Sequence, residues 1–256
     1  MGVLALREPT SWYPAYDEAL VVAVAAIVYV VALRAFPASR ARIASFAAGL
    51  LVVLAVTVTP IGTLALTYHL WAHLVQNVAL AEWAPALCVA GLPPALAAEL
   101  ARFRVVRLVT HPYVGLPVWL ATYVVWHVPA AYDAALEGHY LLHLEHASYF
   151  AAGVLLWWPV FHERPWHLGA GAKSAYLFSA FVLASPLGLL LALLPEPLYD
   201  FYVDAPRIWS LSPLEDQQIA GVAMAVSEAV VFFGVFAWFF VRFLAEEEAG
   251  YSHPHA

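Results

Sequence analysis

Long stretches of apolar residues alternate with short polar segments along most of this chain. Seven of the stretches are long enough to cross a bilayer, at approximately 18–36, 43–60, 67–91, 112–128, 141–161, 174–194 and 216–243. About 20 residues of α-helix, rising about 1.5 Å each, span the hydrocarbon core. Because lipid offers the backbone no hydrogen-bond partner, each stretch must be helical. The pattern predicts an all-α integral membrane protein, a seven-transmembrane-helix bundle.

The composition excludes an ordinary soluble domain. Hydrophobic residues make up 64% of the 256 residues and charged residues only 11%, whereas about a quarter of a soluble domain is charged. We divide the chain into an external lead over 1–17, a single membrane domain over 18–244 and an acidic, histidine-containing cytoplasmic tail over 245–256. The lead is either amphipathic and interfacial or disordered. The lone cysteine, Cys88, excludes an internal disulfide and a CxxC metal clamp.

Positive charge is unevenly distributed between the two predicted membrane faces. Nine of the eleven Lys and Arg residues fall on one face, namely Arg34, Arg40, Arg42, Arg102, Arg104, Arg107, Arg164, Lys173 and Arg242. Cytoplasmic loops carry an excess of Lys and Arg, so the N-terminus is predicted outside and the C-terminus in the cytoplasm. The net charge of −7 lies mainly in the external loops and the tail, which argues against a nucleic-acid partner.

Six of the eleven histidines fall at span ends on the predicted external face. They are His69, His73, His127, His139, His143 and His146. Residues His69, His73 and Gln76 have i, i+4, i+7 spacing, which puts three polar side chains on one helical face, and the last three histidines repeat that spacing. Two such stripes on facing helices can supply nitrogen ligands to a metal ion. The alternative is that each histidine is solvated or hydrogen-bonded at the interface.

The remaining five histidines fall on the opposite face or in the tail, and we interpret them as solvated. They are His111, His162, His167, His253 and His255.

The start of the seventh span offers further candidate ligands. Asp216 is available as an N-cap, and Gln217, Gly221 and Met224 recur at i, i+4, i+7 down one face. A thioether below a group of imidazoles suits Cu(I). The alternative is structural, with Gly221 allowing close helix packing and Met224 filling the core.

Two carboxyl groups, Glu82 and Glu228, fall within predicted spans at similar depth. Ionised carboxylates are costly there, so each is expected to be protonated, paired or solvated. They belong either to a cation or proton path or to a neutral hydrogen bond between helices.

Several ordered motifs between about residues 50 and 245 resemble the CtaG-type cytochrome c oxidase assembly family of bacterial seven-helix membrane proteins. The matching stretches are Thr59-Pro60-Ile61, His69-x3-His73-x2-Gln76, Ala84-Pro85, Gly91-Leu92-Pro93, Trp126-His127-Val128-Pro129, Tyr132-Asp133-Ala134-Ala135-Leu136, His143-x-Glu145-His146, Trp157-Trp158-Pro159-Val160 and Asp216-Gln217-Gln218-x2-Gly221-x2-Met224. A single HxxxH pair is weak evidence for a family, but the ordered set of motifs is specific.

The resemblance implies a non-enzymatic, multi-pass factor of the bacterial plasma membrane that helps assemble a haem–copper oxidase of the respiratory chain. It implies copper binding at the outer face, as in a metallochaperone, with oxidase subunits and membrane lipid as partners; a homo-oligomer is left open. The positions carried over are His69, His73, Gln76, His127, His143, Glu145, His146, Asp216, Gln217 and Met224. The metal candidates therefore comprise these residues and His139.

This chain departs from the family pattern at two places. Asn77 stands where a second His or a Met often follows the glutamine, and Ala225-Val226-Ser227-Glu228 stands where a Trp-x-Pro-Gly stretch often follows the methionine. Loss of that proline removes an expected helix kink.

Two other functions use the same residues. An intramembrane zinc-dependent hydrolase would hold Zn²⁺ with three histidines and a carboxylate, with Glu145 or Asp133 as general base, and it would need a lipid-sized cavity beside the site. A haem- or quinone-binding protein would use histidines of the third and fifth spans, although haem ligands usually lie deeper within the membrane.

Overall fold

The computed structural model describes residues 7–251, with side chains described for residues 7–249. This part of the chain is helical, with no strand. Its helices are α1 (Tyr16–Ala32), α2 (Arg40–Thr57), α3 (Pro60–Thr67), α4 (Leu70–Val78), a π-helical turn (Ala79–Trp83), α5 (Ala84–Gly91), α6 (Pro94–Leu100), α7 (Arg104–Val109), α8 (Pro112–Trp126), α9 (Pro129–Glu137), α10 (His139–Phe161), α11 (Ala170–Leu193), α12 (Asp200–Asp204) and α13 (Pro213–Tyr251).

Each of the seven predicted stretches contains a helix, but fewer helices meet the length and composition of a membrane span. Within the described residues four do so, namely Arg40–Thr57, Leu70–Gly91, Ala170–Leu193 and Pro213–Ala249. The number is five if α8 and α9, bent by 76° at their junction, count as one span. Helix α1 has 17 residues, and α10 has three histidines and a glutamate among its first eight residues. The all-helical, multi-pass membrane character is therefore confirmed, and seven crossings remain a prediction.

Helix α4, the π-helical turn and α5 form one continuous helix at the centre of the bundle. In the most apolar 18-residue stretch of this helix 78% of the residues are buried, compared with 17% in α2 and 28% in α13. Helices α2, α10 and α13 all pack against it. Small residues such as Ala72, Ala81 and Ala84, which are 0% exposed, let these neighbours approach.

Two glycines lie where neighbouring helices come into close backbone contact. A Cβ on Gly153 of α10 would lie 2.2 Å from the carbonyl oxygen of Ala81, and one on Gly221 of α13 would lie 2.5 Å from Gly188 O. Real side chains cannot occupy such positions without displacing backbone. The packing interpretation of Gly221 is thus supported, and Gly153 determines how closely α10 lies against the central helix.

The seven main helices alternate in direction, so their ends meet in two groups. The first residues of α1, α4, α10 and α13 lie together with the last residues of α2, α8 and α11; we call this the histidine end. Hydrogen bonds and ion pairs that join these ends include Gln76 Nε2 to Val56 O, at 2.8 Å, and His143 Nδ1 to Glu18 Oε1, at 3.0 Å. Helices α9 and α12 pack on each other at this end.

Segments at both ends of the chain differ from the predicted lead and tail. Residues 7–15 are mostly non-helical and are hydrogen-bonded to the bundle: Tyr13 N donates to Val58 O at 2.9 Å, and Ser11 O accepts from Thr63 at 2.8 Å. The described part of the lead is therefore neither an amphipathic helix nor detached. The predicted tail over 245–256 begins inside α13, which continues to Tyr251. Residues 1–6 and 252–256, including His253 and His255, lie outside the described residues.

Two histidines interpreted as solvated have structural contacts instead. His162 is 4% exposed, and its Nε2 lies 2.9 Å from Val89 O at the end of the central helix. Burial lowers the pKa of His162 to about 4, so the ring is neutral and can donate to that carbonyl. The His111 side chain accepts from Tyr113 N and caps α8. Both lie at helix termini, where backbone groups lack intrahelical partners.

Candidate metal centre

Three side chains from two helices converge in the interior below the histidine end. His73 of α4 meets Glu145 and His146 of α10, and one donor atom from each lies within 4.8 Å of the others. His73 and Glu145 are 0% exposed and His146 is 7% exposed. Two imidazoles and one carboxylate form a recognised ligand set for a transition-metal ion. We call this group the buried site.

The donor atoms of the buried site lack hydrogen-bond partners. Within the described residues, His73 Nε2, Glu145 Oε2 and both ring nitrogens of His146 have none. A buried polar atom left without a partner costs about 1–3 kcal/mol. Ring nitrogens of His69 and His127 are also unpartnered, but neither ring belongs to a group of three converging ligands. Convergence of unused lone pairs fits a cation at the buried site.

The tyrosine of α12 orients His73. The Tyr202 hydroxyl donates to Ala65 O at 2.6 Å and lies 3.0 Å from His73 Nδ1. Burial raises the pKa of Tyr202 well above its ordinary value, so the hydroxyl stays protonated. Because its proton goes to Ala65, its oxygen can accept from His73 Nδ1–H, on a nitrogen that also lies 3.1 Å from the Tyr132 hydroxyl. That tautomer leaves the Nε2 lone pair directed at Glu145, whose Oε2 is 3.7 Å away.

Asn77, the residue that departs from the family pattern, positions the carboxylate. Its Nδ2 donates to Glu145 Oε1 at 2.8 Å, leaving Oε2 for the buried site. Asn77 and His73 lie four residues apart on α4 and so on one helical face. The departure therefore supplies a hydrogen bond that orients a candidate ligand.

A second group lies at the surface beside the first. Asp17, at the start of α1, has its Oδ2 3.6 Å from His139 Nε2 and 3.4 Å from His143 Nε2. The two ring nitrogens are 3.3 Å apart. We call Asp17, His139 and His143 the surface group; its donor atoms also lie within 4.8 Å of one another.

An apolar cavity of about 380 Å³ adjoins both groups. It lies between α1, α2 and α10, and Glu18, His143 and His146 contribute to its lining. The sequence offered no evidence for such a cavity, because its walls come from helices far apart in the chain.

Asp216 and His69 have structural partners away from the buried site. Asp216 lies in the first turn of α13 and is fully buried. It accepts hydrogen bonds from Leu70 N at 2.9 Å and Trp71 N at 3.2 Å. It thereby caps α4, whose own N-cap residue, His69, makes no side-chain capping bond. His69 Nδ1 is 3.4 Å from Asp216, and its ring stacks on Trp209 with centroids 5.1 Å apart.

Replacing Asp216 by alanine is expected to lower the free energy of unfolding by about 2 kcal/mol, since two buried N–H groups lose their acceptor. Asp216→Asn keeps one acceptor oxygen and should lose less. Thermal denaturation in detergent micelles measures both. The metal content after loading should not change; loss of bound metal in Asp216→Asn would instead make Asp216 a ligand.

The other predicted ligands are distributed around the histidine end. Gln217 is bonded to loop and helix backbone, accepting from Leu198 N at 2.6 Å and donating to Leu191 O and Glu196 O. Gln76 donates to Val56 O and leaves its oxygen unpartnered within the described chain. These bonds give both amides a role in holding the helix ends and outer loop in place.

His127 and Met224 are buried outside the two groups. His127 Nδ1 lies 2.8 Å from Tyr123 O, one turn back on α8, and its ring stacks on Tyr123. Met224 is 1% exposed within the hydrophobic core. Core packing accounts for the position of Met224.

The two membrane carboxyl groups lie near one another. Glu82, in the π-helical turn, accepts from the Tyr123 hydroxyl at 2.6 Å and interacts electrostatically with Glu228. Both oxygens of Glu228 lack a hydrogen-bond partner among the described residues. The interhelical bond of Glu82 agrees with the structural interpretation.

Sequence reasoning missed four residues around the candidate centre: Asp17, Glu18, Asn77 and Tyr202. Asp17 and Glu18 form an acidic pair at the start of the first span, on the same predicted face as the histidines, and this was the available signal. Tyr202 lies in a loop helix whose position no periodicity in the sequence indicates.

Comparison with known proteins identifies a family for this chain. A family model described as cytochrome c oxidase caa3 assembly factor (Caa3_CtaG) matches residues 24–246. No curated protein and no solved structure matches the chain. The matched range contains the whole buried site, whereas Asp17 and Glu18 precede it. Because the match covers most of the chain, this protein belongs to the cytochrome c oxidase caa3 assembly factor family.

Proposed function

We propose that this assembly factor is not an enzyme and that it binds copper at the buried site and hands it to a haem–copper oxidase. The observation that carries the proposal is the convergence of His73, Glu145 and His146 with unused lone pairs. Imidazole nitrogens suit copper, and copper binds such donors more tightly than the other first-row divalent ions. Three protein donors leave a fourth position open, through which a recipient ligand can remove the ion.

The proposed membrane arrangement has seven crossings, with the histidine end outside and the C-terminus in the cytoplasm. Nine of eleven basic residues fall towards the opposite end, as expected of a cytoplasmic face. Helix α10 would cross the plasma membrane despite the polar residues of its first two turns, because its residues from 147 to 161 are mostly apolar. Copper reaching the cell from outside would then meet the histidine end first, where oxidase subunits would receive it.

The first test is metal analysis of the detergent-purified full-length chain after loading with copper or zinc. His73→Gln combined with His146→Gln should lose about one copper ion per chain, because three donors hold one ion. His167→Gln, which changes a 69% exposed histidine at the other end, is the matched control. Copper content unchanged in the double variant would contradict the buried site.

A second candidate, the zinc-dependent hydrolase, would use the apolar cavity. A cavity of about 380 Å³ beside His146 has room for part of a lipid chain. This candidate predicts that the wild-type chain, as purified and before any loading, contains zinc and not copper. It also predicts zinc-dependent hydrolysis of a lipid amide or ester, which the double variant would lack.

A further inference from the structure

We propose that the surface group, Asp17, His139 and His143, is a second copper site, and that Glu18 connects it to the buried site. Copper would bind first at the surface and then move inward. This inference rests on the proposed function, because it requires the buried site to hold copper.

The surface group has the donors of a metal site and the exposure of a receiving one. Its carboxylate comes from the first turn of α1 and its two imidazoles from the first two turns of α10, and all three donor atoms lie within 4.8 Å of one another. Asp17 is 65% exposed and His139 is 66% exposed. An ion bound by a carrier in solution can therefore reach these donors directly.

Glu18 lies between the two groups and contacts both. Its Oε1 is 3.0 Å from His143 Nδ1 and 3.7 Å from His146 Nδ1. His143 belongs to the surface group through Nε2, which is 3.4 Å from Asp17. One ring thus faces the surface group with one nitrogen and Glu18 with the other, and no step between Asp17 and His146 is longer than 3.7 Å.

Exposure decreases in steps along this series. The side chain of His143 is 30% exposed, that of Glu18 is 15% exposed and that of His146 is 7% exposed, while His73 and Glu145 are fully buried. An ordinary ion pair between a surface histidine and an acid has no buried, unpartnered donor atoms next to it. Here the surface group is connected through Glu18 to such donor atoms.

The cavity provides the space that the transfer needs. It lies between α1 and α10, and its lining includes Asp17, Glu18, His143 and His146. Side chains facing it can change rotamer without displacing packed neighbours. Asp17 and Glu18 contribute two negative charges, which raise the local concentration of a cation.

Transfer by this route is a sequence of ligand exchanges. Glu18 Oε1 binds the ion while Asp17 and His139 release it, and His146 then binds while His143 releases it. The ion keeps its oxidation state and its charge throughout, and each released donor recovers its lone pair. No oxidant or reductant is required.

The test uses the full-length chain in detergent and Cu²⁺ as the probe. Three variants are compared with wild type: Asp17→Asn with His139→Gln, which weakens the surface group; His73→Gln with His146→Gln, which removes the buried site; and Glu18→Gln, which changes only the connection. Glu163→Gln with His167→Gln removes an acid and a histidine 4.0 Å apart at the other end and is the matched control.

We expect the wild-type chain and the control to bind about two copper ions and each paired variant about one, since each set of three donors holds one ion. The two paired variants should give different Cu²⁺ electron paramagnetic resonance spectra, whose sum reproduces the wild-type spectrum. Loading of the buried site should slow by about tenfold or more in the surface variant, the lower range for local charge effects on association. Glu18→Gln should slow it while retaining both ions.

The outcomes separate the inference from the proposed function. The wild-type chain could bind a single ion that only the buried-site variant loses, with equal loading rates in all other variants. That result would overturn the surface site and leave the proposed function standing. One ion that only the surface variant loses would overturn the buried site and with it the proposed function. Two ions with unchanged loading in Glu18→Gln would overturn the connection through Glu18.

Discussion

Replacing Glu145 by glutamine is expected to weaken copper binding at the buried site by about 100-fold or more, because changes that only misorient a metal ligand already cost about 10–100-fold. Glutamine has nearly the shape of glutamate but lacks the negative charge. Its carbonyl oxygen can still accept the 2.8 Å hydrogen bond from Asn77 Nδ2. The substitution therefore removes a ligand charge and preserves the local packing.

The apo protein should remain as stable as wild type, or become more stable. An unpaired carboxylate buried at 0% exposure is costly, and the neutral amide avoids that cost. Copper at 100 times its dissociation constant should raise the wild-type free energy of unfolding by about 2.7 kcal/mol and should raise that of the variant much less. Chelator competition and thermal denaturation with and without copper measure both effects.

Glu99→Gln is the matched control for this experiment. Glu99 is exposed and pairs with Arg102 at 3.0 Å, far from the histidine end, so its loss should change neither copper affinity nor copper-dependent stabilisation. An unchanged dissociation constant in Glu145→Gln would show that the carboxylate does not bind the ion, and the buried site would then consist of the two histidines alone.

Replacing Gly153 by alanine is expected to destabilise the protein by about 3 kcal/mol, the upper part of the usual range for overpacking. The new methyl group would lie 2.2 Å from the carbonyl oxygen of Ala81 and 2.6 Å from Pro85 Cγ. These atoms belong to backbone and to a ring, so no rotamer change can relieve the overlap. Helix α10 must move away from the central helix.

That movement should also weaken copper binding, because Glu145 and His146 are carried on α10 and His73 on the central helix. Thermal denaturation and chelator competition in detergent provide the two readouts. Gly234→Ala is the matched control: nothing lies within 4 Å of the added Cβ, and alanine in a helix interior should stabilise by up to about 1 kcal/mol. Equal melting temperatures for wild type and Gly153→Ala would contradict the proposed constraint.

The helices at the histidine end were largely predictable from the chain. Apolar stretches identify where each helix lies in the chain. Because successive helices alternate in direction, every second connection lies at the same end of the bundle. His73, His143 and His146 were accordingly expected at one end, and they lie there. The π-helical turn and the bend of 76° between α8 and α9 were not expected, because hydropathy reports the length of a helix and not its internal geometry.

The contacts of individual side chains depend on the rotation of each helix about its axis, which the sequence did not predict. Asp216 and His69 were expected beside the other ligands, and they lie near the same end, but Asp216 faces the backbone of Leu70 and Trp71. Asn77 was noted as a departure and proves to hold Glu145. A rotation of α4 or α13 by one residue, about 100°, would exchange these partners.

By itself the sequence determined that this chain is helical, that it is a multi-pass membrane protein of the caa3 assembly factor family, and that most of its candidate ligands share one end. These properties follow from hydropathy, from backbone hydrogen bonding in lipid and from ordered motifs. Only the tertiary structure decided which side chains meet: His73 with Glu145 and His146, and Asp17 with His139 and His143. The physical reason is that the rotation and separation of neighbouring helices depend on contacts between residues far apart in the chain, such as Gly153 against Ala81, which no local pattern encodes.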